Sequence, residues 1–152
     1  MIEAPPPPSA NAQALAYELL MDGHGCASDA LASAARMRAL CDALVAALGV
    51  TVLHAPLLHA FPATAAGPGG VTALYLLSES HLALHTWPER HTVLLSLCCC
   101  RPLPADEVLI ATVRSHCGAA DVSTRRIERG LPASPPQHPQ HSQHSQLEGR
   151  AA

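Results

Sequence analysis

Residues 71–99 read VTALYLLSESHLALHTWPERHTVLLSLCC, and the fold turns on how this run divides. Val71 to Leu77 and Thr92 to Cys99 are short, almost wholly apolar and rich in strand formers, as buried strands are. Between them Leu82 to Thr86 forms a further short strand, and Pro88 marks a turn. Working outward, Ala14 to Met21 reads as a first strand. Ser28 then offers a side-chain oxygen to cap a helix running to about Leu48, with Met37, Cys41, Leu44, Val45 and Leu48 on one face. Gly49 ends that helix. Val50 to Phe61 is rich in strand formers but broken by Pro56, which suits an edge or bulged strand, and Pro62 to Gly70 is a loop.

On the other side, Pro104 fits the first turn of a second helix. Asp106 and Glu107 fall near its positive end, Arg114 and His116 near its negative end, and Gly118 just past it. Ala120 to Glu128 closes the pattern as a last strand. These six strands and two helices predict an α/β fold of the α+β type: a two-layer sandwich with the helices on one face of a largely antiparallel sheet.

Composition agrees with a single soluble domain. The chain has 152 residues, 49% hydrophobic and 14% charged, with a formal net charge of −3. Residues 1–11, with the Pro5 to Pro8 run, and residues 131–152, with a Pro/Gln/His/Ser repeat, cannot bury a core and are expected to be disordered, leaving 12–130 as the domain. No basic stripe interleaves with aromatics, which argues against nucleic acid. The longest apolar run, Ala43 to Leu53, is about half of the ~20 residues that span a bilayer, so no membrane segment is expected and the cytoplasm is the expected location. All nine basic residues are arginine. Without lysine there is no internal Schiff base to pyridoxal phosphate. Cys98-Cys99-Cys100 are consecutive, a poor arrangement for disulfides or for a tetrahedral metal site, so the six cysteines read as thiols and no metal is expected.

Chemistry concentrates in Leu77 to Glu89, which gathers two serines, two histidines, two carboxylates and the single tryptophan. If 82–86 is extended, His81, Ala83 and His85 share a face, and His85 leans back toward Ser80 as a Ser/His pair. Spacing alone also allows a serine- and histidine-rich turn with no catalytic role. No nucleophile-elbow pattern or third triad member supports a hydrolase.

Two segments, Ser78-Glu79-Ser80-His81 and His85-Thr86-Trp87-Pro88-Glu89, resemble those of the prokaryotic S-adenosylmethionine decarboxylase proenzymes. The resemblance extends over 14–130, through Asp22, Gly25-Cys26, Gly70-Val71-Thr72, Cys100 twenty residues after Ser80, and Glu128-Arg129-Gly130. It implies self-cleavage in which the Ser80 hydroxyl attacks the Glu79 carbonyl, giving a β chain of 1–79 and an α chain of 80–152. Ser80 becomes a pyruvoyl group whose carbonyl takes the substrate amine as a Schiff base. By the same resemblance Thr72 stabilises the oxyanion of processing, His85 accepts the proton that drives elimination, and Cys100 returns a proton in turnover. Adenine and a sulfonium favour aromatic faces, which offers Trp87 and Phe61 as substrate contacts with Glu89 on the ribose hydroxyls, and the resemblance implies a homodimer of processed protomers whose sites draw on both. Departures fall on the substrate side: Arg90-His91-Thr92 replaces an aromatic-Gly-aromatic run, Ser96 an aspartate, and Ala16 and Glu18 a Gly-x-His. The loop from Phe61 to Gly70 is also longer than the family's, which leaves open whether Phe61 reaches the adenine-stacking position and, with it, the nucleoside specificity.

The reading that follows is a pyruvoyl-dependent S-adenosylmethionine decarboxylase supplying aminopropyl groups for polyamine synthesis. The alternatives are a pyruvoyl-dependent decarboxylase of ornithine or arginine and, in another class, a non-catalytic homologue that binds an active decarboxylase subunit.

Overall fold

The computed structural model describes residues 14–65 and 67–131. Residues 1–11 and nearly all of 131–152, with their expected disorder, lie outside them. Among the described residues six strands, as expected, and three helices, one more than expected, follow in order: β1 (Ala16–His24), α1 (Ser28–Leu31), α2 (Ala34–Leu48), β2 (Leu57–Ala60), β3 (Val71–Leu77), β4 (Ser80–Trp87), β5 (Thr92–Cys99), α3 (Asp106–Cys117) and β6 (Asp121–Arg129), with a 3-10 turn at Pro88–Arg90. The strands form one sheet in the order β2-β3-β4-β5-β1-β6, and every neighbouring pair is antiparallel.

Several boundaries differ from expectation for local reasons. The helix expected over 28–48 is two helices, because Ser33 adopts an extended conformation (φ −90, ψ 106) and its hydroxyl accepts the Arg36 N–H at 3.3 Å. Ser33, not Ser28, is therefore the capping serine. Gly49 ends α2 at φ 66, a left-handed conformation that a Cβ disfavours. In Val50 to Phe61 only Leu57–Ala60 is strand, with one isolated bridge from Val52 to Leu77, since Pro56 has no N–H to offer a ladder. Pro104 lies ahead of α3 rather than inside its first turn, and Arg126 donates to its carbonyl. The short strand expected at 82–86 extends to Ser80–Trp87 because it is paired on both sides along its length.

Alternation gives the sheet two unlike faces. Leu19, Met21, Val71, Ala73, Tyr75, Leu77, Leu82, Leu84, Val93, Leu95 and Leu97 are buried against Leu31, Met37, Leu40, Cys41, Leu44, Leu109, Val113 and Cys117 of the helices. Tyr75 is fully buried there and donates its hydroxyl to Asp42 Oδ1 at 2.9 Å, tying α2 to the sheet's centre. Among the described residues no helix covers the opposite face. Cross-strand rows on it run His59–Thr72–His85–Leu94–Asp22 and Leu57–Leu74–Ala83–Ser96–Leu20, and Leu57, Leu74 and Leu76 are exposed.

Candidate active site

The chemistry-bearing residues collect at the two ends of β4. At the first end, Leu77 pairs with Ser80, so Ser78 and Glu79 form a two-residue hairpin loop. Favoured loops of this length need positive φ at one or both central residues. Neither Ser78 nor Glu79 has it; the positive value falls one residue on, at Ser80, with φ 152. Such a conformation in a residue with a side chain persists only where the surroundings enforce it.

Those surroundings are specific. Ser80 pairs with Cys99, so Cys100 follows directly, and its N–H donates to the Glu79 carbonyl at 3.1 Å. Arg101 donates from Nε and Nη2 to both oxygens of the Glu79 carboxylate and holds that carboxyl below its ordinary value. On the other flank the Ser78 N–H donates to the Thr51 carbonyl at 2.8 Å, and the Thr51 N–H to Ser78 Oγ at 3.3 Å. Ser80 Oγ is 3.4 Å from His81 Nδ1, and Cys100 is exposed.

At the second end, Thr72 and His85 are cross-strand partners with Oγ1 and Nδ1 3.0 Å apart. His85 and Trp87 have ring centroids 6.2 Å apart. A cavity of about 360 Å³ is lined by Thr72, His85, Trp87, Glu89 and Phe61, together with the Gly67 to Gly70 segment. Phe61 thus reaches the pocket despite the long loop. The Phe61 N–H donates to the Gly70 carbonyl at 2.9 Å, and a Cβ on Gly69 would lie 1.9 Å from the Phe61 carbonyl oxygen, an approach open to glycine alone. Thr86 fixes this end from within. Its buried hydroxyl accepts the Val71 N–H at 2.7 Å and donates to the Leu31 carbonyl at 2.8 Å.

The structure brings Glu79, Ser80 and Cys100 together, and separately Thr72, His85, Phe61, Trp87 and Glu89. It does not bring Ser80 to His85. They stand five positions apart on one strand, roughly 16 Å at a strand's rise. The expected Ser/His pair within one chain is therefore corrected: His85 bonds to Thr72, and Ser80 meets His81. Sequence reasoning missed Arg101 and Thr86. An arginine directly after Cys100 was the signal for the first, and a polar residue continuing the inward series Leu82, Leu84 for the second. The remaining cysteines pack. Burial pushes the thiols of Cys41 and Cys117 up to about 12, and that of Cys26 upward, which keeps them protonated and unreactive. Among the described residues no helix is long and apolar enough to cross a membrane, and no group of three or more His, Cys, Asp or Glu side chains converges as a metal site.

Comparison with known proteins ties this geometry to a family. The family model described as S-adenosylmethionine decarboxylase matches residues 17–130. A proenzyme of that name from Moorella thermoacetica is 42% identical over 72 residues, 46% of this chain and 55% of the relative; one from Prochlorococcus marinus is 36% identical over 67 residues, 44% and 54%. The chain thus spans about half the length of these relatives, whereas a Clostridium botulinum proenzyme, 27% identical over 114 residues, is matched over 93% of its length and 75% of this chain. The crystal structure of the adenosylmethionine decarboxylase from Aquifex aeolicus superimposes with a TM-score of 0.67 over 84% of this chain and all of that one, at 21% identity, which is a likeness of fold. With a family model covering most of the ordered domain and both signature segments intact, the chain belongs to the S-adenosylmethionine decarboxylase family.

Proposed function

We propose that this chain is a self-processing, pyruvoyl-dependent S-adenosylmethionine decarboxylase, releasing carbon dioxide and an aminopropyl donor for polyamine synthesis. The observation that carries the reading is the hydrogen bond from the Cys100 N–H to the Glu79 carbonyl, beside Ser80 at φ 152. Attack by Ser80 Oγ on that carbonyl carbon forms a C–O bond and breaks the C–N bond to Ser80, while the hydroxyl proton passes to the freed amine. Negative charge develops on an oxygen that already has an N–H donor, which lowers the barrier. Loss of the Ser80 Cα proton then expels the Glu79 carboxylate, separating 1–79 from 80–152. Water replaces the terminal nitrogen, which leaves as ammonia, and a pyruvoyl ketone remains. Strain at Ser80 favours the cut, since it is released when the bond opens.

His85 is the proton acceptor of this reading and Thr72 its oxyanion partner, yet His85 stands too far from its own Ser80 along β4, and Thr72 is its neighbour on β3. They serve the Ser80 of a second copy, docked open face to open face. The exposed Leu57, Leu74 and Leu76 on that face support such a partner. A pyruvoyl group made from Ser80 would sit at this hairpin and would supply the electron sink for loss of carbon dioxide. The Cys100 thiol, exposed at the same hairpin, returns a proton to the α-carbon. Phe61 and Trp87 offer aromatic faces to adenine and a sulfonium, and Glu89 accepts from ribose hydroxyls; the 360 Å³ cavity has small-molecule dimensions.

Denatured intact mass of freshly purified protein, with and without an amine and cyanoborohydride, tests the reading. Two fragments split between Glu79 and Ser80, only the second gaining the adduct, are expected; a chain that stays whole on incubation overturns it. Product analysis with S-adenosylmethionine, ornithine and arginine then separates the substrates.

A further inference from the structure

The bidentate pair between Arg101 and Glu79 holds the side chain of the residue whose carbonyl the proposed reaction attacks. Arg101 is the first residue after Cys100, so one short segment contributes both the N–H on the Glu79 carbonyl and the guanidinium on its carboxylate. The two-point fork fixes the plane of that carboxylate as a single bond could not. The side chains of Arg101 and Glu79 are 52% and 28% exposed, so the pair adds little to folding stability and its effect lies in orientation. Ser78 is anchored to Thr51 on the other flank, which leaves Glu79 and Ser80 gripped from both sides.

We propose that Arg101 is a positioning residue for self-cleavage: by holding the Glu79 side chain it keeps the Glu79 carbonyl on the Cys100 amide and Ser80 in its positive-φ conformation. This rests on the reading that the chain cuts itself between 79 and 80. Because Arg101 keeps the Glu79 carboxyl ionised below its ordinary value, the grip holds through neutral and mildly acidic pH and is lost only as pH falls below that value.

The test follows the first-order cleavage of the freshly translated full chain by denatured intact mass. The chains compared are wild type, Arg101→Gln, Arg101→Lys, Glu79→Gln and the double variant Glu79→Gln/Arg101→Gln. Arg101→Gln is expected to slow cutting roughly tenfold to a hundredfold, the range a small misplacement of reacting groups produces, with an unchanged melting midpoint. Arg101→Lys recovers part of the rate. Glu79→Gln matches Arg101→Gln, and the double variant is no slower than either, because one interaction is lost in all three. A wild-type rate in Arg101→Gln, multiplied losses in the double variant, or a rate that falls only in step with the melting midpoint would each overturn the proposal. A wild-type chain that never cuts overturns the cleavage reading itself and this proposal with it. Equal cutting of wild type and Arg101→Gln overturns this proposal alone.

Discussion

At its Ser80 end, β4 is held by backbone hydrogen bonds and an exposed ion pair; at its Thr86 end it is held by a buried hydroxyl and covered by a glycine-rich loop. The first arrangement is open to solvent and strained, with φ 152 at a residue bearing a side chain. The second is anchored from within by the paired, buried Thr86 hydroxyl. The same strand therefore carries the bond of the proposed cleavage at one end and a pocket at the other. On the proposed reading, the distance between the two ends is the reason a second copy is needed.

The largest effect breaks the first end outright. Ser80→Ala is expected to leave a full-length chain without decarboxylase activity, and a cut at the same bond in that variant would remove Ser80 as nucleophile. Next, His85→Ala is expected to remain uncut alone, yet to be cut when co-expressed with Ser80→Ala, because the partner then supplies His85 to an intact Ser80. Mass analysis with a tag on one chain reads this directly, and no cutting in the mixture would mean that the two ends do not meet across copies. A smaller effect loosens the second end. Thr86→Val leaves the Val71 N–H and the Leu31 carbonyl unpaired in the interior, a loss of about 1–3 kcal/mol in urea unfolding, with cleavage still running to completion. Cleavage abolished by this variant would show the ends to be coupled. The smallest effect lies away from both. Hydrogen bonds from Thr124 and Arg126 hold the Asp106 carboxyl below its ordinary value of 3.8. Its contribution is therefore present above that value and fades as pH falls through the lowered one. Asp106→Asn should lower the melting midpoint slightly at neutral pH, and the difference from wild type should close in strong acid.

The sheet's centre was legible because β3 and β5 are apolar on both faces and β4 alternates, patterns that few other structures produce. The helix break at Ser33 was not, since an apolar period continues through it and only the local serine bond interrupts it. Within the site, membership in a face was readable: His81, Ala83 and His85 do share one. Reach was not. Period-two alternation says which side a residue takes but gives no partner across strands, so Thr72 opposite His85 needed the register of β3 on β4. Phe61 at the pocket needed the close backbone approach of Gly69, which loop length alone does not reveal.

The strand order has one more consequence. Strands β1, β2 and β3 precede Glu79 and β4, β5 and β6 follow it, yet in the sheet β1 is threaded between β5 and β6. A cut after Glu79 would therefore leave two polypeptides woven through one another, unable to slide apart without dismantling the sheet. Until that happens the nick is silent; once it happens, reassembly needs a collision between two molecules, and recovery becomes dependent on concentration where it was not before. The cut would act as a ratchet on the history of the molecule, made once, after folding, and not retraced by a chain that has come undone.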